Sequence, residues 1–290
     1  MAKRLAIFLF MIFPTILFSK IVVTVSILPQ KYFVQKIAGD LAKVEVMVPP
    51  GSEPANYEPK PKQLSNLTKS KIYFTIGVPY ERVWVPRFKD INKNMIFCDS
   101  SKGIKRYPMA SSYTFVKDKK RSRAPKKRAL DPHIWLSPLL VKKISQNIAK
   151  AFIKIDKKHK DVYERNLQSF LKEIEDLHRY GKDKLKGLKQ REFIVFHPVW
   201  GYFAREFDLR QIPIQIEGKT PKISTLIKLI NYAKKRGIKT IFVQPEFSKK
   251  SAQVIAKNIN GKVVALDPLE ENWQKSIKKA IDTFSKVLQK

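Results

Sequence analysis

Cysteine is nearly absent: Cys98 stands alone among 290 residues. That excludes an intramolecular disulfide framework and any cysteine-rich zinc module. Histidine is scarce as well, and the imidazoles at 133, 159, 178 and 197 are the whole supply for a nitrogen-based metal site. Acidic residues are outnumbered, 25 Asp and Glu against 58 Lys and Arg, for a formal net charge of +33. Beyond the N-terminus no apolar run approaches the roughly 20 residues that a membrane-spanning helix needs. What is present in quantity is core material. With 43% hydrophobic and 11% aromatic residues the chain can bury a real interior, so intrinsic disorder is excluded despite the charge. The length suits two domains of ordinary size.

The first 19 residues read as an export signal. Lys3 and Arg4 supply a positive start, Leu5 to Phe18 forms an apolar run, and small Ser19 precedes Lys20 as the cleavage point. The run is too short for a spanning anchor. No cysteine lies near the cleavage point, so lipid attachment through cysteine is not expected. The mature chain is expected to be a soluble periplasmic monomer.

Past residue 20, strands alternate with helices. Strand-like runs rich in β-branched residues occur at Lys20 to Ile27, Val44 to Val48 and Lys71 to Ile76, with a short one at Ile96 and Phe97. Tyr32, Phe33 and Ile37 mark a helix, and the Pro49 to Pro54 segment is an irregular loop. From Leu139 the period changes. Tyr163, Leu167, Phe170, Ile174 and Leu177 step by four and three, which predicts one amphipathic helix over Asp161 to Leu188, about 42 Å long. Alternation then resumes with strands at Phe193 to Phe196, Ile212 to Ile216, Thr240 to Val243 and Lys262 to Leu266. Helices are expected at Ile223 to Lys235, Lys250 to Asn258 and from Glu271 onward.

The two halves resemble each other. A strand leads into Leu28-Pro29 in the first and His197-Pro198 in the second, each followed by a Tyr-Phe pair. The expected fold is α/β: two similar parallel-sheet lobes joined by one long helix, with a cleft between them. The expected divisions are a signal at 1–19, a first lobe at 20–158, a connecting helix at 159–190 and a second lobe at 191–290. In open α/β sheets ligands favour the crevice beyond the carboxyl ends of the strands.

Three candidate donors sit at such boundaries. His133 lies in Asp131-Pro132-His133, His197 follows a strand, and Asp267 follows another. Two imidazoles and a carboxylate make a borderline donor set that suits Zn²⁺. Spacing alone equally fits histidines held beside prolines for structural reasons.

At these residues the chain resembles the zinc/manganese solute-binding proteins of ABC-type importers, the cluster A-I family. The similar segments are Val44 to Pro61, Asp131 to Pro138, Phe196 to Ala204, Ile216 to Pro221, Ile241 to Ala252 and Ala265 to Leu269. They run in order across nearly the whole mature chain. The resemblance implies two α/β lobes bridged by a long helix, a metal in the cleft, and a membrane ABC permease as partner. It assigns His133 and His197 to the second and third ligand positions and Asp267 to the carboxylate. Manganese-type relatives have a carboxylate where this chain has His197, so Zn²⁺ is expected rather than Mn²⁺. One position departs. The family's Pro-His-x-Tyr-Glu-Pro appears here as Pro54-Ala55-Asn56-Tyr57-Glu58-Pro59, and Ala55 has no donor atom. Water, Glu53 or Glu58 is left to fill that position, or the chain keeps the fold without high-affinity metal binding.

The remaining features are less specific. Lys117 to Arg128 holds eight basic residues in twelve, a charge run suited to a solvated surface or to anionic lipid headgroups. No base-reading element accompanies it, so nucleic acid is not an expected partner. His159 and His178 are read as surface side chains, Cys98 as a small buried hydrophobe, and Glu246 as a helix cap. Glu58, Glu217 and Glu246 are nominal general bases, but nothing ties them to a bound water, so the expectation is capture rather than catalysis.

Overall fold

A computed structural model describes residues 20–110, 129–215, 219, 221–247 and 249–289. The export-signal segment 1–19, the basic segment Lys117 to Arg128 and Glu217 lie outside the described residues.

The first lobe is built on β1 (Ile21–Val25), β2 (Ala42–Val46), β3 (Ile72–Thr75) and β4 (Ile96–Asp99), all parallel, in the order β2-β1-β3-β4. Val23 sits opposite Val44 on one side and Ile72 on the other. The inner strands are near-continuous apolar runs because helices cover both faces of a parallel sheet. Those helices include α1 (Leu28–Ala38), α2 (Pro61–Leu67) and α3 (Glu81–Ile91). Neither α2 nor α3 is announced by hydrophobic periodicity. The first is short and opens on Pro61, and the second carries Pro86 inside it.

Two helices follow, α4 (Pro138–Ile155) and α5 (Lys160–Lys184). The expected helix to Leu188 ends four residues sooner, leaving α5 with 25 residues. Gly187, at φ 71°, turns the chain into the left-handed region that terminates helices. The α5 stripe of Tyr163, Phe170, Ile174 and Leu177 is buried as its spacing predicts. The helix packs on α4 and α1 and, from the other half, on α9 (Trp273–Leu288).

The second lobe repeats the first in plan. Its strands are β5 (Glu192–Val195), β6 (Arg210–Pro213), β7 (Thr240–Val243) and β8 (Lys262–Ala265), parallel, in the order β6-β5-β7-β8. Between them run α6 (Gly201–Glu206), α7 (Ile223–Lys235) and α8 (Lys249–Asn258). The expected α/β architecture of two like lobes and a connecting helix is therefore the one observed. One continuous core reaches through both lobes, and a smaller one lies between the second sheet and α7 and α8.

The lobes are fastened by aromatic residues. Phe33, Phe170 and Trp273 pack together, with Phe33 and Trp273 ring centroids 5.3 Å apart. Trp135 Nε1 donates to the Pro268 carbonyl at 2.8 Å, and Trp273 Nε1 donates to the Trp135 carbonyl at 2.6 Å. Among the described residues no helix is long and apolar enough to cross a membrane.

Two histidines differ from expectation. His159 pairs with Asp156 at 2.6 Å, with only 20% of its side chain exposed. His178 pairs with Glu206 at 2.8 Å and stacks on Phe207, with 15% exposed. Both are partly buried and held in ion-pair contacts rather than fully exposed. Charged sequence neighbours suggested exposure, but each ring found a carboxylate, and for His178, on the connecting helix, that partner comes from the second lobe. Cys98, in β4, is half-buried and packs against the main core.

Candidate metal centre

Each sheet has a switch point where the chain leaves two neighbouring strands in opposite directions, between β1 and β3 in one lobe and between β5 and β7 in the other. A crevice forms beyond the carboxyl ends of such strands. The two crevices face a single cavity of about 90 Å³. Val78 and Pro79 reach it after β3, His197 and Val199 after β5, Gln244, Glu246 and Phe247 after β7, and Pro268 and Leu269 after β8. Glu53, Pro54 and Ala55 come from the loop after β2, and His133 and Trp135 from the approach to α4.

His133 and His197 face each other with ring centroids 5.7 Å apart. Each is oriented through Nδ1. His133 Nδ1 lies 2.7 Å from Asp131 Oδ1, which also accepts from the His133 backbone N–H at 3.0 Å. His197 Nδ1 lies 3.2 Å from Gln215 Oε1. An outer partner on one ring nitrogen fixes the tautomer and leaves Nε2 as the ligating atom. Burial, and then the neighbouring His133, pull the His197 pKa down to about 4, so this imidazole is neutral near pH 7. A neutral ring with a free nitrogen is the form that binds a metal.

Asp131 itself is buried, and Tyr202 donates to its carbonyl at 3.0 Å. It has room because Gly201 opens α6 directly behind it: a Cβ at position 201 would stand 2.6 Å from Asp131 Oδ2.

The carboxylates are distributed around the cavity. Glu53 and Glu246 line it, and burial raises both pKa values. Glu58 and Asn56 are exposed and do not line it. Asp267 is half-buried and does not line the cavity; its Oδ1 accepts from the Leu269 N–H at 2.7 Å, and its charge is felt by Glu246. Among the described residues no three His, Cys, Asp or Glu side chains meet at one point as a ready-made metal cluster. His133 and His197 are brought together, and the acidic side chains stand around them. Glu246 is not a helix cap: α8 begins three residues later, and the side chain enters the cavity.

The sequence signals for these partners are uneven. Asp131 stands two residues before His133, the spacing at which an Asx side chain bonds back to the chain. Gln215 is 18 residues from His197, and only the β5–β6 pairing brings it near. Phe247, whose ring stacks on His197 with centroids 5.3 Å apart, carried no signal.

Two parallel-sheet lobes, a stiff helical bridge and oriented imidazoles in the shared crevice define a solute-binding protein of the metal-capturing class. The chain belongs to the family described as zinc-uptake complex component A, periplasmic, whose model matches residues 23–288. It is 31% identical over 259 residues to the high-affinity zinc uptake system protein ZnuA of Bacillus subtilis, covering 87% of this chain and 79% of that protein. A putative metal-binding protein of Treponema pallidum is 28% identical over 259 residues, with 88% and 81% covered. Among solved structures, a zinc-bound deletion mutant of ZnuA superposes with a TM-score of 0.85 at 40% identity, covering 94% of this chain and 99% of that one. The resemblance read from the sequence segments is borne out.

Proposed function

We propose that this chain captures Zn²⁺ outside the cytoplasm and delivers it to an ABC permease in the membrane. The observation that carries the reading is the pair of imidazoles 5.7 Å apart, His133 buried and His197 partly so, each with Nδ1 already engaged. His133 comes from the first lobe, and His197 and Asp267 from the second. An ion held by all three ties the lobes at 20–158 and 191–290 across the bridge at 159–190 and stabilises the loaded form. Nitrogen donors together with a carboxylate favour Zn²⁺ over the harder Mn²⁺. The donor Ala55 lacks is left to a carboxylate of the cavity, and Glu53 qualifies where exposed Glu58 does not.

The role is capture and release, without catalysis. Residues 1–19 direct the chain out of the cytoplasm. The eight basic residues of Lys117 to Arg128 add attraction to anionic headgroups, up to about 1 kcal/mol per charge near the surface.

Calorimetric titration of the mature chain tests the reading. One Zn²⁺ per chain is expected, and replacing His133 and His197 together by Ala should abolish binding, because carboxylates and water alone do not retain the ion. An unchanged titration in the double variant would overturn the proposal.

A further inference from the structure

The cavity is an electrostatic exception within this molecule. The chain carries 58 basic and 25 acidic residues, yet among the described residues the cavity lining includes Glu53 and Glu246 and neither lysine nor arginine. Neither glutamate makes an ion pair among the described residues. Glu246 also feels the charges of Asp267 and Glu53. Gathering negative charge in a partly dry site is unfavourable unless a cation is to be held there.

Glu246 is also the better positioned of the two. Gln244 Nε2 donates to the His197 carbonyl at 2.9 Å, and the Phe247 N–H donates to the Gln244 carbonyl at 3.2 Å, closing a turn. The Phe247 ring lies on the His197 imidazole with 29° between their planes. Residues 244 and 247 thus both grip His197, and Glu246 stands between them. Its backbone is registered to one of the imidazoles. Glu53 has no such tie to either imidazole.

A separate feature points the same way. Gln244 is 1% exposed and lines the cavity, and its Oε1 has no hydrogen-bond partner. A buried acceptor left unpaired is unfavourable, and a water bound to a cation is the donor that suits it.

We propose that Glu246 is the donor that stands in for Ala55, its carboxylate joining His133 and His197 on the captured ion while Gln244 Oε1 accepts from a water retained on that ion. The assignment rests on the zinc-capture reading above and adds to it a ligand from the second lobe. The missing imidazole is then compensated from the opposite wall of the cleft rather than from its own loop.

Competition titration of the mature chain with Zn²⁺ against a chelator of known affinity, paired with Co²⁺ absorption spectra, tests this. Glu246→Gln should weaken Zn²⁺ binding about tenfold or more and shift the Co²⁺ ligand-field bands. Glu246→Asp, which keeps the charge on a shorter arm, should shift the bands too. Glu53→Gln should stay within about threefold of the parent with unchanged bands. Adding Ala55→His to Glu246→Gln should recover most of the lost affinity. An unchanged urea midpoint for ion-free Glu246→Gln would show that the variant folds. Weakened binding with unchanged bands in both Glu246 variants would overturn the ligand role, since charge alone would then act. Parent-like behaviour of Glu246→Gln with losses in Glu53→Gln would overturn it as well. Full Zn²⁺ binding after removal of both histidines is a different failure, that of the capture reading itself.

Discussion

The imidazoles that face each other across the cavity are held by different means. His133, in the first lobe, leans on a buried carboxylate 2.7 Å away. His197, in the second, leans on a neutral amide at 3.2 Å and lies under an aromatic ring. A carboxylate partner fixes the tautomer and also makes the imidazole a stronger donor, whereas an amide fixes the tautomer alone. Burial then keeps His197 neutral, with its pKa down at about 4. Orientation and basicity are thus set separately on the two walls. The first lobe contributes an imidazole backed by a carboxylate, and the second one kept neutral by its burial.

The asymmetry is most open to attack at Asp131. Asp131→Ala should weaken Zn²⁺ binding about 10- to 100-fold, the usual result of losing an outer-sphere carboxylate. Gln215→Ala should cost only a few-fold on the same scale. Equal losses in a chelator competition assay would show that the two walls are not different in kind.

A smaller effect is expected at position 55, where the family's imidazole is replaced by Ala55. Ala55→His adds a third imidazole on the first wall and should tighten binding about tenfold, or about 1.4 kcal/mol. Position 55 lies on the loop after β2, and the new ring is expected to titrate as an ordinary histidine there. Its affinity gain should therefore fade below about pH 6.5, where an ordinary histidine takes up a proton. A gain that persists to pH 5 in the same assay would mean that position 55 is as sheltered as position 197.

The least effect concerns the ion-free chain. Folded protein keeps His197 neutral down to about pH 4, while the unfolded chain protonates it near pH 6.5. Between those values only the unfolded state gains the proton, so stability falls as pH falls. Relative to His197→Gln, the parent should lose about 1 kcal/mol between pH 6.5 and 5.5 in urea unfolding. Parallel curves for the two proteins would show that His197 is not shielded.

Much of this was legible from residues alone, for identifiable reasons. Helix α7 and strand β7 have the limits that periodicity predicts, because each has a dense apolar pattern bounded by Lys, Arg or Gln. Parallel strands buried on both faces announce themselves as β-branched runs. His133 and His197 were visible because strand ends and prolines mark where a crevice forms. What escaped depends on contacts distant in sequence. The neighbours of His178 are charged, and nothing local indicates that Glu206 will cover it. Glu246 reads as a cap because helix residues follow. Only the turn locked by Gln244 and Phe247 shows that it enters the cavity instead. The short α2 and the proline-containing α3 have too few apolar repeats to register.

The tryptophan clasp has a consequence for how cargo leaves. Trp135 reaches Pro268, and Trp273 reaches back to Trp135, through two buried hydrogen bonds that span the lobes. Swinging the lobes apart like jaws would break both, at about 1 kcal/mol each, and would tear open the packing of Phe33, Phe170 and Trp273. Movement is cheaper at the rim, where the Gly51 to Pro59 loop and the Gln244 to Phe247 turn meet. An ion held in the cavity would therefore leave through short loops rather than by parting of the two lobes, with the tryptophan frame staying shut.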